Sequence, residues 1–224
     1  MKLAANLTFL FGDAPMRDRI AAAADAGFAG VELLQPYDED ASDLRHWLDA
    51  AGPALVLINT PEPDWDAGGR GYAAVPGAEA RFRDSLDQAL AFAQASACPR
   101  IHILAGIAEG ETARETYLAN LAHAADRAPD MAFTIEPLNH LDQPGYFLSD
   151  FATALEVLIA LDRPNLGLQF DSYHADRITG DAAHAWAHCK TRVTHVQIAG
   201  PDRGAPGPDQ TALIGRLRRD GYAT

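Results

Sequence analysis

The chain has 224 residues, 48% of them hydrophobic, and its 31 acidic against 18 basic residues give a formal net charge of −13. The apolar content suffices for the core of one α/β barrel, a fold that often runs to about 250 residues, so residues 1–224 are predicted to form a single domain. The acidic balance argues against nucleic-acid and membrane partners, because such a surface repels phosphate backbones and anionic headgroups.

Seven short runs of β-branched and aliphatic residues are predicted to be strands. The opening run is included because it is too short and too polar to span a membrane. In chain order the runs are KLAANLTF, GVELL, ALVLINT, RIHILAG, AFTIEPL, LGLQFDSYH and VTHVQIAG. Segments with helical spacing lie among them or follow them, including APMRDRIAAAADAGF, SDLRHWLDAAG, AEARFRDSLDQALAFAQAS, ETARETYLANLAHAADRA, FATALEVLIALD and DQTALIGRLRRD. This alternation predicts parallel strands joined by right-handed crossovers.

Signals at the helix ends support the same division. Asp13 is predicted to cap the first helix just before Pro15, and the segment FATALEVLIALD is predicted to be capped by Ser149 or Asp150. Gly27 and Gly52 stand where a helix must end and turn back toward the next strand.

Nearly every predicted strand ends with one polar side chain, which favours a closed barrel. These residues are Asn6, Glu32, Asn59, His102, Glu136, Asp171 and Gln197. In a parallel barrel the carboxyl ends of the strands meet at one mouth, where the active site lies. An open doubly wound sheet would instead have a Gly-rich phosphate loop after its first strand, and none is present there. The prediction is an α/β fold of the TIM (β/α)8 type.

This barrel is expected to be incomplete, because only seven strands are visible before the chain stops at GYAT. A seven-stranded version leaves the first and seventh strands with unpaired backbone groups. We therefore expect the eighth strand to be missing from these 224 residues. Such an uncovered edge would favour self-association, so a homo-oligomer stays open as an alternative.

Three oxygen-bearing side chains on successive strands predict a metal site. Glu136, Asp171 and Gln197 follow one another at the mouth, and oxygen donors suit a hard divalent cation such as Mg²⁺ or Mn²⁺. The alternative is that each residue separately caps a loop or bonds a backbone amide. Their common register favours the metal site.

Three histidines lie near this predicted site. His102 is expected to contact substrate, or else to be a satisfied core residue among aliphatic neighbours. His174, three residues after Asp171, is expected to line the pocket. His195, two residues before Gln197, lies on the same face but deeper, which indicates a supporting role.

Other substrate contacts are expected from the first three strands and from one long loop. Asn6, Glu32 and Asn59 are expected to hydrogen bond a small polar substrate, with satisfaction of nearby loops as the alternative. Trp65 and Tyr72 lie in the Gly- and Pro-rich segment PEPDWDAGGRGYAAVPG, whose length predicts a lid over the mouth.

Several motifs, taken in order, resemble the xylose-isomerase-like sugar isomerase and epimerase barrels, and within them the hydroxypyruvate isomerase group. They are AANLTFLF, AGFAGVELLQPYD, LINT with DAGGRGYAAVPG, IHILAG, IEPLN, QFDSYHA and HVQIAGPDR, which cover essentially the whole chain. By this resemblance Glu136, Asp171 and Gln197 correspond to metal ligands, and Glu136 is also catalytic. His174 and Arg203 correspond to substrate-contacting positions.

The resemblance implies interconversion of hydroxypyruvate and tartronate semialdehyde by proton transfer through an enediolate, assisted by Mg²⁺ or Mn²⁺. Arg203 would pair with the substrate carboxylate. The second catalytic glutamate and the fourth ligand belong to the eighth strand of the family and are therefore absent here. The loop PDRGAPGPDQTAL also departs from the family, whose members generally carry a His-Glu-Pro run and a Gly-Glu pair after the arginine.

Three alternatives stay open at this point, and a fourth is disfavoured. A 2-oxo-tetronate isomerase and a ketose 3-epimerase would share most of the site, and a non-catalytic sugar-acid-binding barrel would fit the missing strand. An endonuclease-like barrel conflicts with the charge of −13 and the few metal-type histidines. Cys98 and Cys189 show neither metal-type spacing nor a disulfide framework, which suits a reducing compartment and an expected cytoplasmic location.

Overall fold

A computed structural model describes residues 2–222, which alternate between parallel strands and helices. The strands are β1 (Ala4–Asn6), β2 (Gly30–Leu33), β3 (Ala54–Asn59), β4 (Arg100–His102), β5 (Ala132–Ile135), β6 (Leu166–Asp171) and β7 (Val193–Gln197). The helices are α1 (Met16–Asp25), α2 (Ala41–Ala51), α3 (Glu79–Ser96), α4 (Gly110–Arg127), α5 (Phe151–Leu161), α6 (Ser172–Thr179), α7 (Ala182–Cys189) and α8 (Pro208–Arg219). No helix in this part of the chain is long and apolar enough to cross a membrane.

The sheet is a curled half-barrel with its strands in sequence order. All neighbouring pairs are parallel, and the order runs from β1 to β7 without a reversal. Glu32 on β2 lies 2.6 Å from both His195 and Gln197 on β7. In a flat sheet five strand spacings would separate these strands by about 24 Å, so the sheet must curl. The predicted TIM-type barrel lacking its last strand is confirmed for residues 2–222.

The hydrophobic core lies between the outer face of the sheet and the surrounding helices. On β6 the outward residue Phe170 packs against Phe151 of α5 and Trp186 of α7, with ring centroids 5.6 and 5.5 Å apart. Its neighbours Gln169 and Asp171 point the other way, because side chains alternate along a strand. The strand thus presents an apolar face to the helices and a polar face to the barrel interior.

The predicted helix signals are confirmed except at the first helix. Asp150 caps α5 by accepting the N–H of Thr153 at 2.8 Å, and Gly27 and Gly52 end their helices with φ of +85° and +105°. The predicted Asp13 cap is wrong, because Pro15 occupies the N-cap position of α1 and no side chain caps that helix. Asp13 lies two residues too early to occupy that position.

The segment after β6 corrects the predicted strand LGLQFDSYH. The strand ends at Asp171, whose Oδ1 accepts the N–H groups of Tyr173 at 2.7 Å and His174 at 3.4 Å and so starts α6. The short helices α6 and α7 had not been predicted. Each has eight residues, too few to show a clear helical period.

Candidate active site

The polar strand ends converge as expected, because the strands are in register at their carboxyl ends. Asn6 pairs with Glu32, Asn59 with His102, and Asp171 with Gln197 in the strand ladders. Glu136 follows directly after β5. All seven predicted residues therefore lie at the same end of the half-barrel.

A buried cluster of possible metal ligands forms at this end. Glu136, Asp171 and His174 each offer one ligand atom, and these atoms all lie within 4.8 Å of one another. Gln197 joins through Gln169, whose Nε2 lies 2.8 Å from Oε2 of Glu136 and 3.0 Å from Oε1 of Gln197. Of the predicted ligands, Glu136 and Asp171 lie close together, and Gln197 is linked to Glu136 through Gln169.

The two carboxylates of this cluster are hard to ionise together. Burial, and then the charge of Asp171, raise the pKa of Glu136 well above its usual range. Burial raises the pKa of Asp171 to about 6, while the Arg203 guanidinium opposes this increase. A divalent cation would neutralise both carboxylates, and their oxygens are the donors that such a cation prefers. The residues present therefore fit a hard divalent cation.

A second buried network connects β2 with β7. The carboxylate of Glu32 contacts Nε2 of His195 and Nε2 of Gln197, both at 2.6 Å, and Nδ2 of Asn6 at 3.5 Å. Because Nη1 of Arg100 donates toward Nδ1 of His195 at 3.4 Å, the imidazole proton lies on Nε2 and is donated to Glu32. His195 thus fixes Glu32, as its predicted supporting role requires.

His102 lies beside Glu136 as a neutral ring. Its Nδ1 is 3.2 Å from Oδ1 of Asn59 and 3.6 Å from Oε2 of Glu136, and its Nε2 is buried without a partner. Burial lowers the pKa of His102 to about 3, so the contact with Glu136 is no ion pair near neutral pH. The free Nε2 is an acceptor at the barrel interior.

Arg203 lies over the cluster in an aromatic setting. Its Nη2 is 3.0 Å from Nε2 of His174 and 4.0 Å from a carboxylate oxygen of Asp142. The guanidinium stands 4.7 Å from the ring centre of Tyr173 and 5.5 Å from that of Phe9. Burial, and then the Arg203 charge, lower the pKa of His174 to about 3. The two residues that the resemblance assigned to substrate are therefore in contact.

The predicted lid segment is a folded loop anchored by a buried carboxylate. Glu62 accepts the backbone N–H of Gly71 and, at 3.0 Å, the hydroxyl of Tyr72. Tyr72 is buried, whereas Trp65 is exposed and lies 4.1 Å from the Arg70 guanidinium. Arg70 also donates to Gln143 in the loop after β5, so this segment is tied to the neighbouring loop.

The sequence interpretation missed three of these residues. Gln169 precedes Asp171 by two positions on the same strand face, and this spacing would have indicated it. Glu62 lies just past β3 in the predicted lid segment, where nothing in the sequence distinguishes it from the other polar residues. Asn139 is the last residue of the motif IEPLN, but its role was not indicated because its contact with His174 spans 35 residues.

Comparisons with known proteins agree with this geometry. The family model described as "Xylose isomerase-like TIM barrel" matches residues 20–224. A 2-oxo-tetronate isomerase of Cupriavidus necator is 42% identical, covering 92% of this chain and 82% of its own. The hydroxypyruvate isomerase of Escherichia coli is 36% identical, covering 92% and 83%. A crystal structure from Brucella melitensis called "AP endonuclease, family 2" is 38% identical with a TM-score of 0.91, covering 99% and 90%.

Proposed function

Because this chain belongs to the xylose isomerase-like TIM barrel family, we propose that its buried cluster isomerises a small hydroxy-oxo acid by moving a proton between adjacent carbons. The coarser assignment, a sugar-acid isomerase, follows from relatives that are named isomerases and match over most of the chain. The finer proposal is interconversion of hydroxypyruvate and tartronate semialdehyde through an enediolate. The observation that carries it is the cluster of Glu136 and Asp171 with His174.

Glu136, Asp171 and Gln197 would hold Mg²⁺ or Mn²⁺. When bound, such a cation would supply Lewis-acid polarisation of a carbonyl and charge for a developing enediolate. Glu136 would take the proton as the general base. The second acid–base group of the family belongs to an eighth strand, so only the first proton transfer is assigned to these residues.

Arg203 and the strand-end amides would orient the substrate. A guanidinium binds a carboxylate with two parallel hydrogen bonds, and Arg203 lies at the cluster with 33% of its side chain exposed. Asn6, Glu32, Asn59 and His102 would line the interior, where His102 keeps a free acceptor nitrogen for a substrate hydroxyl. The net charge of −13 argues against a phosphate-backbone substrate.

A second candidate substrate is 2-oxo-tetronate, which carries one more hydroxylated carbon. The observation in its favour is the 42% identity to the C. necator isomerase, against 36% to the hydroxypyruvate isomerase of E. coli. Both substrates share a carboxylate beside the reacting carbons, so the same residues serve either one. Comparing kcat/KM for the two compounds decides between them.

The test of the function is turnover of hydroxypyruvate and 2-oxo-tetronate with Mg²⁺ or Mn²⁺, before and after Glu136→Gln. The substitution removes the base and one anionic ligand, so turnover should fall by roughly 10²- to 10⁴-fold. Glu156→Gln, at an exposed glutamate of α5, is the matched control and should keep full activity. Unchanged turnover in Glu136→Gln would refute the assigned role. Substrate binding without turnover in the parent protein would favour the non-catalytic barrel.

A further inference from the structure

The imidazole of His174 faces hydrogen-bond donors on both sides. Asn139 donates its backbone N–H to Nδ1 at 3.0 Å, and its Nδ2 lies 2.9 Å from the same nitrogen. On the other side, Nη2 of Arg203 lies 3.0 Å from Nε2. A neutral imidazole accepts at one nitrogen and donates at the other, so the two sides compete for the single ring proton.

The donors on the Asn139 side are fixed. Asn139 is fully buried, and its Oδ1 accepts the backbone N–H of Asp142 at 3.0 Å, which sets the orientation of the amide. Its backbone N–H cannot rotate away. Arg203 has a long, partly exposed side chain that also contacts Asp142 and Tyr173. The fixed donors of Asn139 therefore determine the tautomer: Nδ1 accepts their hydrogen bonds, and Nε2 carries the proton.

We infer that Asn139 is a positioning residue that holds His174 as an Nε2–H donor, the tautomer in which His174 can make the substrate contact that the family resemblance implies. The inference rests on the proposed function, because the acceptor is an oxygen of the hydroxy-oxo acid. A protonated Nε2 has no lone pair for a metal ion, and the lone pair of Nδ1 is used by Asn139. In this tautomer His174 is not a metal ligand, although it lies close to Glu136 and Asp171.

The same tautomer leaves two hydrogen-bond donors in contact at Arg203. With the proton on Nε2, that nitrogen and the guanidinium are two donors facing each other at 3.0 Å. An anionic oxygen lying beside both nitrogens would accept from both and would be held by charge-assisted bonds. A carboxylate or enediolate oxygen of the substrate has the lone pairs for this position.

The test is ¹⁵N NMR of protein labelled at histidine, with the His174 signals identified by their loss in His174→Gln. We expect Nδ1 of His174 at the shift of an unprotonated nitrogen and Nε2 at that of a protonated one, both without metal and after addition of Zn²⁺, which favours imidazole ligands. A protonated Nδ1, or loss of the Nε2 proton on Zn²⁺ addition, would overturn the inference. The NMR result does not depend on turnover, so failure of this inference can be distinguished from failure of the proposed function.

Asn139→Asp tests the positioning role directly. It keeps the oxygen that accepts the N–H of Asp142, removes the amide donor to the Asp142 carboxylate, and places a carboxylate oxygen at Nδ1, which favours a proton there. The backbone N–H of residue 139 still points at Nδ1, so the Nδ1-protonated tautomer of His174 should become detectable without replacing the other, and kcat should fall about 10- to 100-fold, as for other partners that orient site histidines. The matched control is Asn120→Asp, a buried asparagine of α4 that donates to Ala73, which should leave the tautomer unchanged. Lower activity in Asn139→Asp with an unchanged tautomer would mean a merely structural role.

Discussion

At the scale of single residues, Glu136 and Asp171 are buried carboxylates that cost stability when they ionise. Both are buried, and the structure gives them the backbone N–H groups of α6, the amide of Gln169 and the more distant charge of Arg203. These partners do not bring the pKa of either residue back to its usual range. Ionising the pair therefore costs stability in the metal-free protein, a cost that the proposed cation would offset.

Asp171→Asn should stabilise the metal-free protein, and the gain should depend on pH. The pKa of Asp171 is about 6 in the folded protein, against the usual 3.8. The parent protein is therefore more stable at low pH, where Asp171 is protonated, and loses this stability as pH rises through about 6. The difference corresponds to roughly 3 kcal/mol for the ionised group. Asparagine cannot ionise and still caps α6. Thermal unfolding in EDTA at about pH 5 and about pH 7.5 should show the larger gain at the higher pH.

Added Mn²⁺ provides the control for that experiment. It should raise the unfolding temperature of the parent protein at neutral pH, because it binds only the folded cluster. The increase should be much smaller in Asp171→Asn. An equal increase in both proteins, or a pH-independent difference in EDTA, would contradict the role given to Asp171.

Glu32→Ala should destabilise the fold by about 1–3 kcal/mol, because it leaves the buried N–H groups of His195 and Gln197 without their acceptor. Urea unfolding measures the loss. Glu115→Ala removes an exposed glutamate of α4 and should change stability little. Similar losses in the two variants would show that the network between β2 and β7 adds no stability.

The sequence could indicate the strand-end residues because each stands out as polar at the end of an apolar run. Glu136 and Asp171 are of this kind. Asn139 could not be found in this way, because its role depends on a contact between the loop after β5 and His174 on α6. The tautomer of His174 likewise depends on distances that no sequence pattern carries.

At the scale of elements, the loop after β3 requires glycine at one position more than at another. Gly71 and Gly68 both have positive φ, +99° and +93°. A Cβ on Gly71 would collide with Leu104, whereas a Cβ on Gly68 would meet no atom within 4 Å. Backbone strain is therefore common to both positions, and the collision belongs to Gly71 alone.

Gly68→Ala should cost about 1 kcal/mol from left-handed strain, and Gly71→Ala should cost roughly 1–3 kcal/mol more from the collision. Gly71→Ala should also displace the N–H that Glu62 accepts and so raise KM, because the loop would lose its anchored form. Urea unfolding and steady-state kinetics check both effects. Equal losses for the two variants would mean that Leu104 moves aside freely.

Long helices were predictable from the sequence, and short ones were not. The helices α3 and α4 have 18 residues each, and their apolar spacing is clear in the sequence. The break between α6 and α7 depends instead on local chemistry at Gly180, with φ of +76°, and at Asp181, which caps α7. The apolar run of β6 dominates the pattern in this part of the sequence, so the signals at Gly180 and Asp181 were not interpreted as helix ends.

At the scale of the whole molecule, the sheet has two unequal kinds of strand. Within residues 2–222 the strands β2 to β6 each have two neighbours, whereas β1 and β7 have one. Hydrogen exchange should therefore be slowest at the amides of the inner strands and faster along β1 and β7. Mass spectrometry of exchanged peptides measures this. Equal protection of β7 and β5 would indicate that β7 is covered in solution, for example by a second copy.

The fold itself was largely predictable because alternation of strand and helix leaves few parallel topologies. The decision for a barrel came from polar residues at the strand ends, and the unreversed strand order agrees with it. How tightly the sheet curls could not be predicted, because it is set by contacts such as that of Glu32 with Gln197.

That contact has a consequence for folding kinetics. Glu32 and Gln197 are 165 residues apart in the chain, and closing a loop of that length costs about 4.5 kcal/mol of chain entropy beyond a constant. Contacts of such long range form late, after the local βα units. During synthesis Glu136 and Asp171 emerge before β7, so the early chain carries these carboxylates before the rest of the candidate site has formed. Activity should therefore be the last property to return on refolding, after helical structure has recovered.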